Sequence, residues 1–133
     1  MTEIRPLQLD EIPIIDSWYE QRGWPIIDKA LLPFDGGKPS AYTLDDDGVL
    51  CYCCWIYTCN ANFVVIDWIV SNPNKNTTFT LKDFIEDLIT ILKEKYDIKY
   101  ILSLFDSNIA LRKVFDRLGF KAGSDCTNYL KEL

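Results

Sequence analysis

Histidine is missing from this 133-residue chain, and that one gap removes Ser-His-Asp triads, Cys-His dyads and His-ligated metal sites together. Any proton transfer has to run through carboxylates, tyrosine, lysine, cysteine or water. Positive charge is scarce too: 14 Lys+Arg stand against 20 Asp+Glu, a formal net charge of −6, and no stretch gathers the basic residues into a stripe. Such a surface repels phosphate backbones, so no nucleic acid partner is expected. Long apolar runs are lacking. The longest, Phe63 to Val70, is broken by Asp67, and no membrane span is expected. The opening Met-Thr-Glu-Ile-Arg-Pro has neither the basic nor the apolar region of a secretory leader, so the expected location is cytoplasmic.

What is present describes one ordinary domain over residues 1–133, with 48% hydrophobic and 26% charged residues. A fold of this length buries roughly 70% of the surface its unfolded chain exposes, without help from disulfides or metals. The five cysteines agree with that: Cys51, Cys53, Cys54 and Cys59 crowd into nine residues, unlike the dispersed spacing of a disulfide framework. Alternation along a strand puts Cys51 and Cys53 on one face and Cys54 on the other, with no Cys or His pair elsewhere to complete four ligands. No metal is expected, and core packing accounts for the cluster.

The elements follow from local chemistry. Glu3 to Pro6 reads as a strand, and Asp10 caps a helix in which Ile12, Ile15 and Tyr19 share a face, ending at Gly23. Pro25, Pro33, Gly36, Gly37 and Pro39 mark an irregular crossing with one helical turn at Ile27 to Leu32. Ser40 to Leu44, Val49 to Thr58 and Phe63 to Val70 form a three-strand antiparallel meander, the first turn being Asp45-Asp46-Asp47-Gly48. That acidic turn resembles half a calcium loop, but the remaining ligand spacing is missing. Leu81, Phe84, Ile85, Leu88, Ile89 and Leu92 recur at helical spacing behind a Thr80/Asp83 capping box. Lys99 to Phe105 reads as a buried strand. Ser107 caps a helix facing Leu111, Val114, Phe115 and Leu118 inward, Gly119 ends it, and a last strand or hairpin is expected around Phe120 to Leu130.

This order, a meander followed by β-α-β-α-β, resembles the GNAT family of acyl-CoA-dependent N-acetyltransferases over nearly the whole chain. Its most specific part is Asn108-Ile109-Ala110-Leu111-Arg112-Lys113-Val114-Phe115-Asp116-Arg117-Leu118-Gly119-Phe120, which is similar to the family's N-x-x-A … L-Y-x-x-x-G-F helix. The opening Ile4-Arg5-Pro6 and the strand end Trp68-Ile69-Val70 with Pro73 after it are further likenesses. The compact size, cysteine-rich strand and Val70-Ser71-Asn72-Pro73-Asn74 turn resemble short GNAT-fold proteins of tailed phages, for which the location would be the host cytoplasm. The resemblance implies an α/β (α+β) fold with a mixed sheet and helices on both faces. It also implies acetyl-CoA as co-substrate, held where two neighbouring parallel strands splay apart.

Under that resemblance the pantetheine arm pairs with the backbone of Ile69, Val70, Ser71 and Asn72, while Lys75, Asn76, Thr77 and Thr78 receive the pyrophosphate and Asn108 touches the cofactor or a water. The family's R/Q-x-x-G-x-G/A loop is not matched: residues 73–81 contain no glycine. The family's acidic tyrosine is replaced by Phe115, which leaves Tyr129 as the candidate proton donor. Asp67 is the candidate base, acting through water on the incoming amine, unless it is an outward residue on a half-exposed face. Tyr52, Trp55, Tyr57 and Trp68 either line the cleft or fill the two sides of the sheet. Two functions stay open: an N-acetyltransferase acting on a polyamine, an aminoglycoside or a lysine-bearing protein, and a catalytically silent GNAT scaffold serving as a phage interaction or virion-associated component.

Overall fold

The computed structural model describes residues 1–105, 109–124 and 129–133. Its main sheet has five strands in the order β1 (Thr2–Pro6), β4 (Ala41–Asp46), β5 (Val49–Thr58), β6 (Phe63–Ser71), β7 (Tyr100–Ser103). The first four neighbours pair antiparallel, and β6 with β7 pairs parallel. The expected meander is therefore β4-β5-β6. Its first turn is the two-residue loop Asp47-Gly48, both residues at positive φ (52° and 87°), with the Gly48 N–H donating to Asp45 Oδ1 at 2.7 Å. That is the backbone twist a two-residue hairpin needs.

Helices cover both faces, as expected. Helix α2 (Leu81–Lys95) and helix α3 (Ile109–Arg117) back one face. Phe84, Ile85, Leu88, Leu92 and Phe115 pack there on Tyr42, Leu44, Tyr52, Ile56, Val64 and Ile66. Helix α1 (Ile12–Gln21) covers the other face, setting Ile12, Ile15, Trp18 and Tyr19 on Ala41, Leu50, Cys53, Trp55 and Val70. The capping box of α2 forms as read: Thr80 Oγ1 accepts from Asp83 N at 3.1 Å and Asp83 Oδ2 from Thr80 N at 2.9 Å.

Five expectations are corrected. Asp10 does not cap α1: residues Leu9–Glu11 form a 3-10 turn first, in which Glu11 Oε1 accepts from the Gln8 N–H at 2.9 Å while Arg5 grips the same carboxylate. The crossing contains a small hairpin, β2 (Phe34–Asp35) against β3 (Lys38–Pro39), turned by Gly36 and Gly37 at positive φ. Cys51 shares its face with Cys54, not Cys53, because a bulge opposite Leu44/Asp45 leaves Cys51 without a register partner and flips it to the α2 side. Strand β7 is shorter than expected and not buried, with Tyr100 73% and Leu102 46% exposed. No strand follows Gly119 among the described residues, and residues 125–128 of the expected terminal strand lie outside them. The expected Ser107 cap also lies outside the described residues. Among the described residues no helix is long and apolar enough to cross a membrane, and no group of three metal-ligating side chains gathers.

Candidate active site

Strand β6 changes character halfway along. Its register with β7 runs from Phe63↔Tyr100 to Ile66↔Ser103 and stops, closed by Ser103 Oγ donating to Ile66 O at 2.8 Å. Beyond that fork β6 continues to Ser71 with β5 alone beside it among the described residues. The β5 register jumps from Trp55↔Asp67 to Cys53↔Val70, so Cys54 opposes both Trp68 and Ile69. This is a bulge, and Trp68 takes φ +55° to make it, a conformation that costs a non-glycine residue about 1–2 kcal/mol.

Three side chains hold the bulge in place. Asp67 Oδ1 accepts the Trp68 N–H at 2.8 Å, the buried Tyr19 hydroxyl of α1 donates to Trp68 O at 2.6 Å, and Trp68 Nε1 donates to Tyr57 Oη at 2.7 Å. Tyr57 in turn donates to Leu31 O at 2.6 Å. Asp67 keeps the alternation of Val65, on the α1 face with Trp55 directly across from it. Burial pushes its carboxyl above the usual carboxylate range, and the Trp68 N–H draws it partly back. Burial likewise pushes the Tyr19 hydroxyl well up, so it stays a donor. Trp55 is 1% exposed and its Nε1–H has no partner among the described residues.

The other expected site residues divide. Ile69 to Asn72 carry the open backbone edge past the fork. Asn72 is braced on β5, its N–H on Cys51 O at 2.8 Å and its Nδ2 on Leu50 O at 2.9 Å. Thr77 Oγ1 accepts the Phe79 N–H at 3.2 Å and its hydroxyl helps hold the Asp46 carboxyl low after Thr2, which ties it to the β4 end. Phe79 packs on the α2-side core, its carbonyl taking the Tyr52 hydroxyl at 2.7 Å. Lys75 stands 5.5 Å over the Tyr52 ring, and Lys75, Asn76 and Thr78 are exposed. Thr77 and Phe79 are thus engaged with Asp46 of β4 and Tyr52 of β5. Phe115 is packed between Phe105 (5.1 Å) and Phe120 (4.7 Å). Tyr129 is 93% exposed near the chain end, and Asn108 lies outside the described residues.

Sequence reasoning singled out Asp67 but not its supports. Tyr19 reads as an ordinary apolar-face position, and nothing in the order of residues announces that its hydroxyl meets a carbonyl 49 positions away. The only available signal is the lone carboxylate in an apolar strand beside an aromatic.

No family model and no curated relative matches the chain. Solved structures do. The chain is similar to the ribosomal-protein-S18-alanine N-acetyltransferase of Escherichia coli, with TM-score 0.76 and 17% identity over 93% of this chain and 80% of that one. It is also similar to the aminoglycoside N-acetyltransferase AAC(6')-Iy in complex with CoA, with TM-score 0.68 and 18% identity over 100% and 96%. N-acetylglutamate synthase of Neisseria gonorrhoeae, complexed with coenzyme A and L-arginine, matches with TM-score 0.67 and 19% identity over 92% of this chain. The chain spans only 28% of that enzyme's length. The mixed five-stranded sheet, with its one parallel pair at β6 and β7 and helices on both faces, is the GNAT fold.

Proposed function

We propose that the protein is an N-acetyltransferase that moves acetyl from acetyl-CoA to an amine. The observation that carries this reading is the bulged half of β6, which among the described residues has β5 on one side and no strand on the other, with a half-buried carboxylate at its start. An extended amide chain can lie against such an edge as a strand would, hydrogen-bonding to backbone between Asp67 and Asn72. Acetyl-CoA supplies the thioester carbonyl that the amine attacks and carries off the thiolate.

This chain's own residues do the rest. Asp67, its carboxyl pKa raised by burial, takes the proton from the attacking amine through a water. Tyr19 and Tyr57 fix the bulge, the Trp68 N–H and C=O being taken by Asp67 and Tyr19, and so hold the strand that continues to Ser71 in place. Phe115 offers no proton, so the thiolate leaves without an acid from α3. Among the remaining expected ligands, Asn76 and Thr78 are exposed and available to phosphate oxygens. The acceptor is a cationic amine, a polyamine, aminoglycoside or lysine-bearing protein, which suits the net charge of −6. Solved neighbours of the fold hold CoA.

The test is a thermal titration with acetyl-CoA. Ligand at about 100 times its dissociation constant adds about 2.7 kcal/mol of stability, which appears as a rise in melting temperature. No rise at millimolar acetyl-CoA overturns the reading.

A further inference from the structure

Arg22 is unlike the paired cations of this acidic chain. It follows α1 directly, and its guanidinium donates from Nη2 to Ser71 Oγ at 2.7 Å and from Nη1 to Trp18 O at 3.4 Å, while standing 5.4 Å over the Trp24 ring. Arg5, by contrast, is clasped by Glu11 at 2.8 Å and Asp45 at 3.1 Å. Among the described residues no carboxylate oxygen lies within 4.0 Å of Arg22. Burial lowers its pKa, the mark of a cation that has lost water without gaining a counter-charge.

Its place gives this meaning. Ser71 is the last residue of β6, at the outer end of the edge that has no β7 neighbour. From Asp67 to Ser71 the strand advances about 10 Å, because the bulge sets the two residues opposite Trp55 and Tyr52, three positions apart on β5, a distance that an extended pantetheine arm spans. A group seated with its thioester at Asp67 and its arm along the edge therefore ends near Arg22. The glycine-free loop after β6 adds one cation, the exposed Lys75, which stands over the ring of Tyr52, the register partner of Ser71.

We propose that Arg22, delivered by α1 and aimed by Ser71, is the phosphate-binding cation of this protein, taking the diphosphate at the end of the pantetheine arm in place of a glycine loop. A guanidinium with donors to spare suits phosphate oxygens, and its fork makes it more selective than an ammonium. The inference rests on the acetyltransferase reading.

The experiment is calorimetric binding of CoA and of pantetheine, which lacks the diphosphate, to wild type, Arg22→Gln and Arg22→Lys, with melting curves as the folding control. Arg22→Gln is expected to weaken CoA about tenfold or more while pantetheine affinity stays the same. Arg22→Lys should recover part of the loss, and added salt should weaken CoA binding more in wild type than in Arg22→Gln. If Arg22→Gln does not fold, Arg22→Lys carries the test, with a loss for CoA and none for pantetheine. Equal CoA affinity in wild type and variant overturns the inference and leaves the acetyltransferase reading standing. Equal losses for CoA and pantetheine also overturn it, showing that Arg22 only braces β6. Absence of CoA binding to wild type removes both.

Discussion

The two halves of β6 obey different rules. From Val64 to Ile66 the strand has β5 on one side and β7 on the other, regular alternation, and side chains 0–1% exposed at Val64 and Ile66. From Asp67 to Ser71 it has, among the described residues, one neighbouring strand, together with a bulge, a positive φ at Trp68 and a half-buried carboxylate. The first half is stabilised by burial. The second departs from ideal strand geometry and is kept there by Tyr19, Tyr57 and Asp67. The lesson is that the fold concentrates its irregularity in the half of the strand without a β7 neighbour, and anchors it to the regular three-residue segment directly before it.

The contrast can be broken most heavily in its regular half. Ile66→Ala, at a fully buried position, should cost about 2–5 kcal/mol, read from urea unfolding. A loss below about 1 kcal/mol would mean that this half is not the anchor. In the open half, Asp67→Asn should lower turnover by about a hundredfold or more while CoA affinity holds; unchanged turnover removes Asp67 from the chemistry. The same variant has a pH signature. Folding raises the Asp67 pKa, so its contribution stabilises at pH below the unfolded carboxylate range and is lost as pH rises through the folded value. Asp67→Asn should erase that decline and be no less stable than wild type at neutral pH. Tyr19→Phe orphans the Trp68 carbonyl and should cost about 1–3 kcal/mol, together with turnover. A loss of stability alone would show that the bulge survives without its clamp. The smallest effect belongs to the fork: Ser103→Ala removes one hydroxyl bond to Ile66 O and should cost about 0.5–1.5 kcal/mol, seen also as faster amide exchange at β7.

Much of the scaffold was legible because its signals are local. Thr80 with Asp83, the turn ending in Asp47-Gly48, Gly119 after α3 and the aromatic and β-branched run of Val49 to Thr58 each depend on residues a few positions apart. Two features missed in the strands share one cause, which is that a bulge is decided by the neighbouring strand. Cys51 changes face because of β4, and Trp68 turns left-handed because of β5 and α1. Asp67 stood out as a lone charge among apolar neighbours. The clamps around it did not, since Tyr19 and Tyr57 act through hydroxyls that reach across the fold.

The cysteine run in the middle strand has a practical consequence. Cys51, Cys53 and Cys54 are 0–1% exposed, burial raising each thiol's pKa, while Cys59 is exposed. A thiolate-seeking alkylating reagent should therefore modify Cys59 at once and reach the other three only when β5 comes apart. Peptide-resolved labelling in native buffer would then time the opening of the sheet's centre, with no denaturant and no engineered probe.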